Sequence, residues 1–278
     1  MAEKDKVPGW LYEELLKDAG AGIPELSDRD RAGLILERMD YEEQLIAISG
    51  LLGRNKSTDE QLEAERGEIL VFIQRSSGSA LERAIDESGE NFYAMVYQGA
   101  EHSMAALGML APMYESMFFQ AFQGIRNRYF GKTAIPSGHH RNAIADPDAF
   151  WNCRKHYEKK TGEVNNDVVS GILQLSKAIG LKKYLPPGLP KTLQALFDYR
   201  NFMFHNGFEW PEDRCAVFAA HIERGGWQAW FGWSERSNKP WIFYMNEQFI
   251  NHCLAMIHKL LEGLGAYCRG RNPIETVR

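Results

Sequence analysis

Along most of this chain, apolar residues return at helical spacing in blocks set apart by glycine, proline and small polar residues. The first block, Trp10 to Lys17, predicts a short helix that ends at Gly20-Ala21-Gly22. Ser27-Asp28 can cap a second, with Leu34, Ile35, Leu36 and Met39 as its apolar positions. Tyr41 to Leu52 predicts a helix that stops at Gly53, and Thr58 to Arg75 another, opened by the capping-box pair Thr58 and Gln61. His102 to Phe130 is the longest apolar block, with Met104, Met109, Met113 and Met117 spaced along it. Pro112, Glu115, Gln120 and Gln123 interrupt it, which predicts a kinked core helix and not a membrane span. Further helices are expected over 147–160, 166–181, 189–206, 211–224 and 246–269. Two aromatic runs, Trp227 to Phe231 and Pro240 to Tyr244, flank Ser237-Asn238-Lys239 and predict a small β-hairpin near 227–245.

The fold class expected is therefore mainly α, with that one hairpin. An N-terminal helical segment over 1–100 precedes a helical domain over 101–278. Five of the seven Trp fall between 210 and 241, and their expected role is packing beneath the hairpin.

The stretch from Leu189 to Trp210 carries the candidate chemistry. Pro190 suits a helix start and Asn206-Gly207 a left-handed stop. Leu193, Leu196, Phe197, Met203 and Phe204 share one broad apolar stripe, with Arg200 near its middle. A guanidinium placed there needs either a buried acceptor or a use for its charge. Asp198, Asn201 and His205 cluster within roughly 60° on the adjoining face. Ala195, Tyr199 and Phe202 add a second, weaker apolar side.

Arg200-Asn201-Phe202-Met203-Phe204-His205, followed by Asn206-Gly207-Phe208, resembles the signature of HEPN domains, a group of small helical bundles in which an Arg, a polar residue and a later His lie near the end of a core helix. The resemblance implies a bundle of HEPN type over 101–278 and a homodimer formed through the motif helix. It also implies a metal-independent endoribonuclease with Arg200, Asn201 and His205 as catalytic residues and RNA as substrate. Such members are often toxins or phage-defence effectors, and an antitoxin or regulatory protein would then be a partner. Others are only modules that bind nucleotide, RNA or a protein. A second Arg-to-His spacing, Arg214 with His221, has Cys215 where the family keeps a polar residue, and His221 beside Phe218 and Ile222 is expected in the core. Arg126-Asn127 repeats the Arg-Asn pair without a His at the family's spacing.

Asp198 and Asn206, beside the motif, are candidates for substrate contact. The one basic run, Arg154-Lys155-His156 with Lys159-Lys160, adds Lys155 and Lys159 as candidates for the RNA backbone. His139 and His140 sit in a loop where adjacent rings rarely converge on one ion.

Charge and composition narrow the picture. A formal net charge of −5 argues against coating nucleic acid by bulk electrostatics, although a small cleft handling one phosphodiester needs no basic surface. Cys153, Cys215, Cys253 and Cys268 have no metal-type spacing and are expected as reduced thiols of a cytoplasmic protein. No cofactor and no metal are expected. The charged N-terminus lacks the apolar stretch of a signal peptide.

Overall fold

A computed structural model describes residues 26–36 and 39–271. The short helix expected over 10–17 lies outside the described residues. Those described form eight α-helices and two small antiparallel sheets, a mainly helical fold. In chain order the elements are α1 (Asp28–Gly33), α2 (Tyr41–Arg75), α3 (Ser79–Ile125), α4 (Pro147–Phe150), β1 (Lys155–Glu158), β2 (Glu163–Asn166), α5 (Val168–Ala178), α6 (Leu189–Asn206), α7 (Glu212–Gly225), β3 (Phe231–Arg236), β4 (Lys239–Met245) and α8 (Glu247–Arg269).

The chain divides into two compact units, each drawn from non-consecutive segments. The first comprises Met1–Asp40, Tyr114–Pro190 and Met256–Arg278, and the second Tyr41–Met113 and Lys191–Ala255. The boundary expected near residue 101 falls inside α3.

In the first unit, the segment around α1 is held where two helices carry glycine. A Cβ on Gly124 would meet the Ile35 carbonyl oxygen at 2.2 Å, and one on Gly265 would meet that of Asp28 at 1.5 Å. Ser27 caps α1 in a reciprocal box with Asp30. The helix expected over 147–160 is instead the single turn α4 followed by a hairpin. Thr161-Gly162, with Gly162 at φ +75°, turns the chain so that Lys155 pairs with Asn166 and Glu158 with Glu163. The side chain of Gln174 on α5 holds this hairpin, accepting from Tyr157 N at 3.0 Å and donating to Tyr157 O at 2.9 Å.

Arg141 organises the loop before the hairpin. Its guanidinium is fully buried and donates to the carbonyls of Phe150, Asn152 and Lys155 and to Gln174 Oε1, at 2.9, 2.8, 2.5 and 3.0 Å. Arg126, also buried, pairs with Asp148 at 2.8 Å and donates to the Lys132 carbonyl, so the Arg of the repeated pair serves the fold.

In the second unit, α2 runs unbroken through Gly53, where the sequence predicts a stop. One glycine costs a helix about 1 kcal/mol, which its neighbours can offset. The helix α3 begins at Ser79, well before the His102 start expected, and continues through Pro112 as one helix, as expected. The hairpin β3–β4 forms as expected around Ser237 and Asn238, both at positive φ (54° and 62°), a turn whose twist suits paired strands. Trp227 to Trp230 form the turn before β3 and not the strand itself. Tyr199, Trp210, Phe218, Phe231 and Phe243 pack together at ring separations of 5.1 to 5.9 Å. Trp210 and Trp227 are buried, as expected for core packing, while Trp233 is 40 % exposed.

Candidate functional site

The motif helix α6 ends where the sequence says it should. Gly207 takes φ +73° and its N–H reaches the Met203 carbonyl at 2.8 Å, closing the last turn. Trp210 Nε1 donates to the Gly207 carbonyl at 2.8 Å, which fixes the chain leaving the helix. Leu193, Leu196, Phe197 and Met203 are buried, as the apolar stripe requires. Phe204 departs from it and is 58 % exposed. The side read as weaker is the better buried: Ala195 and Tyr199 are fully enclosed, and Tyr199 donates from its hydroxyl to the Phe243 carbonyl at 2.9 Å. Phe202 packs against Trp210 and Phe218 at 5.4 and 5.1 Å. Tyr199 is therefore taken up by the unit's own core, and half-buried Phe202 packs onto it.

Arg200 is half-buried, its guanidinium 5.8 Å from the centre of the Phe197 ring. Among the described residues it has no ion pair and no hydrogen bond, so its charge is not sealed against a buried carboxylate. Asn201 and His205 are exposed. On an ideal helix Asp198, Asn201, Phe202 and His205 share one face, while Arg200 lies about 140° around from His205. Phe204 projects between them on the exposed side.

Asp198 has a partner the sequence did not reveal. Its carboxylate meets His221 Nδ1 at 2.6 Å, with the two side chains 19 % and 22 % exposed. The His221 ring also stands edge-on to Phe202 at 5.7 Å. His221 is thus not the enclosed core histidine expected. It is a partly buried imidazole on α7, oriented by a carboxylate on α6. The helical spacing that places Phe218 and Ile222 in the core brings His221 to the edge of that same face. An Asp two residues before an Arg-Asn pair and a His on the next helix were the only signals available.

Asn206 is occupied locally: its side-chain amide donates to the Phe202 carbonyl at 2.7 Å and closes the helix end. Just beyond, Glu209 accepts from Trp241 Nε1 at 3.0 Å and from the Tyr97 hydroxyl. These donors, Tyr97 foremost, hold the Glu209 carboxyl below its ordinary range, and the same bond raises the Tyr97 phenol. Lys155 and Lys159 belong to the other unit. Lys155 lies on β1 and Lys159 just after it, so the basic run follows a hairpin and cannot form a continuous helical face.

His139 and His140 stack at 4.0 Å between ring centres. His139 Nδ1 accepts from the Arg141 backbone N–H at 3.2 Å. Burial first, then the neighbouring His140, Lys177 and Arg141, push His139 down to about 4. His140 Nε2 lies 3.1 Å from Gln174 Nε2 on α5, and His139 Nε2 is buried without a hydrogen-bond partner among the described residues.

Among the described residues no helix is long and apolar enough to cross a membrane. No protein-family model matches the chain, and comparison with curated proteins and with solved structures gives no match.

Proposed function

We propose that this chain is a HEPN-like endoribonuclease that cleaves RNA by attack of the 2′-hydroxyl, with the end of α6 as its reaction centre. The observation that supports this reading is one helix face bearing half-buried Asp198 and exposed Asn201 and His205, with a second imidazole, His221, held to Asp198 at 2.6 Å.

RNA carries its own nucleophile, so the protein need only move protons and stabilise charge. One neutral imidazole takes the 2′-hydroxyl proton as the O2′–P bond forms. A protonated imidazole gives a proton to the departing 5′-oxygen as the P–O5′ bond breaks. The products are a 2′,3′-cyclic phosphate and a 5′-hydroxyl. His205 and His221 are the candidates for these two roles, because imidazole titrates near neutral pH and carries protons in either direction. Asp198 orients the His221 ring, and Asn201 offers an amide to phosphate or imidazole.

Arg200 supplies the charge. Its planar fork fits phosphate oxygens, and no described carboxylate competes for it. Because Arg200 and His205 diverge around the helix, the reading places them on one phosphate through two copies of the chain, with exposed Phe204 between them as the apolar element of that contact. A toxin or defence role, and an antitoxin or regulatory partner, would follow from uncontrolled RNA cleavage.

The chemistry is tested with an RNA whose 2′-hydroxyls are all methylated. Unmodified RNA should be cut to cyclic-phosphate ends, and the methylated strand should stay intact. Cleavage of both would remove the 2′-hydroxyl from the mechanism.

The divergence of Arg200 and His205 also favours a second reading, a non-catalytic module that binds nucleotide, RNA or a protein partner. In it the wild type binds RNA and leaves it uncut.

A further inference from the structure

A cavity of about 410 Å³ lies within the second unit, well away in sequence from α6 and independent of the nuclease reading. It falls within the range of volumes that hold small molecules. The helices α2 and α3 supply one wall, chiefly Leu62, Phe92, Met95 and Val96, and β4 supplies Tyr244 opposite. This wall is firmly built. Met245 N donates to Ser103 Oγ at 2.8 Å, and that hydroxyl donates in turn to the Gly99 carbonyl at 2.8 Å. The Tyr244 ring lies near α3 at Gly99, where a Cβ would stand 3.9 Å from it, an ordinary contact.

The polar end is what singles the cavity out. His102 lines it, is only 5 % exposed, and among the described residues neither ring nitrogen has a hydrogen-bond partner. A buried polar group is almost always satisfied, so an imidazole left open at both nitrogens marks a missing acceptor or donor. The nearest charged group is Glu247, whose Oε2 stands 3.6 Å from His102 Nε2, too far for a good hydrogen bond. An oxygen about 2.8 Å from each atom fits over such a gap. A hydroxyl can accept from the imidazole and donate to the carboxylate together, which a carbonyl or carboxylate oxygen cannot.

We propose that this cavity is a binding site for a small, flat, mainly apolar alcohol or phenol, its ring against Phe92, Met95 and Tyr244 and its hydroxyl bridging His102 and Glu247. Arg66 lies at the rim with its guanidinium 5.9 Å from the Phe92 ring centre, where it covers the apolar end.

The test uses the full chain with p-cresol, p-xylene and p-toluate as probes, titrated by calorimetry and ligand-observed NMR. p-Cresol should bind about tenfold or more tightly than p-xylene, the worth of one or two satisfied hydrogen bonds. Met95→Trp, which fills the cavity, should abolish binding while leaving the thermal midpoint near that of the wild type. His102→Phe should erase the preference for p-cresol and keep p-xylene binding. Failure of folded wild type to bind p-cresol at millimolar concentration would overturn the proposal, as would binding unchanged by Met95→Trp. Tighter binding of p-toluate than of p-cresol would overturn the hydroxyl assignment and make Arg66 the anchor of an anion. If His102→Phe does not fold, the wild-type comparison of the three probes and Met95→Trp still decide.

Discussion

A single guanidinium shows how much one residue can determine. Arg141 is enclosed and has carbonyls and an amide oxygen as its acceptors, with burial pushing it down to about 10. A charge so placed is tolerable only because its donors are met. Replacement by Met leaves several buried carbonyls without donors, so Arg141→Met should cost about 3 kcal/mol or more, read as a shift in chemical unfolding. Arg141→Lys should rescue little, because one ammonium cannot reproduce a planar fork of five donors. Its neighbour His139 makes an acid-sensitive counterpart. With an ordinary value of 6.5 and a folded value of about 4, the unfolded chain takes up a proton that the folded chain refuses. Stability is therefore expected to fall as pH drops from about 6.5 to about 4, and to gain nothing from this group above that window. His139→Asn keeps an acceptor for the Arg141 N–H and removes the titration, so its thermal midpoint should decline less steeply over that range than the wild type's. An identical slope would contradict the assignment.

At the scale of elements, what could be read in the sequence was whatever local chemistry decides. The ends of α6 follow from Pro190 and Asn206-Gly207, and the β3–β4 turn from Ser237-Asn238, because each fixes a backbone torsion where it stands. The continuity of α2 and the start of α3 at Ser79 were not legible: Gly53 disfavours helix locally and packing overrules it, while the passage of α3 through Pro112 matches the single apolar helix expected from His102 onward. The β1–β2 hairpin was hidden by its charges: a run of Arg, Lys and His looks helical until Gln174, some seventeen residues on, claims the backbone of Tyr157. Likewise His221 and Asp198 stand 23 positions apart, and no spacing rule joins them. The docking of α5 gives a direct check. A Cβ on Gly171 would lie 2.1 Å from the Cys153 carbonyl oxygen and 2.8 Å from that of Lys155. Gly171→Ala must therefore push α5 off the hairpin, and a loss of about 2 kcal/mol or more is expected in urea unfolding. Gly108→Ala, with nothing within 4 Å, should be stabilising or neutral by the same measurement.

For the whole molecule, the interleaving of segments means that neither compact unit is a continuous stretch of chain. Truncation at residue 101 would remove α2 and the first half of α3 from the unit that carries α6, and the wall that Tyr244 faces with it. The full chain is accordingly the form in which the reaction has to be sought. If Arg200 and His205 act on one phosphate from two copies, Arg200→Ala and His205→Ala chains should each be inactive alone. An equal mixture would regain about a quarter of wild-type activity, since half of the dimers carry one intact site of two. No recovery on mixing would place both residues in a single copy.

The central claim is most directly tested by incubating purified wild type with a mixed RNA pool in EDTA, beside Arg200→Ala, His205→Ala and Asp198→Asn chains shown to be folded. Wild type is expected to cut, with a loss of about a hundredfold or more for Arg200→Ala or His205→Ala and a smaller loss for Asp198→Asn, which keeps His221 partnered by an amide. A folded wild type that leaves every RNA intact, or equal cutting by all four chains, would contradict it.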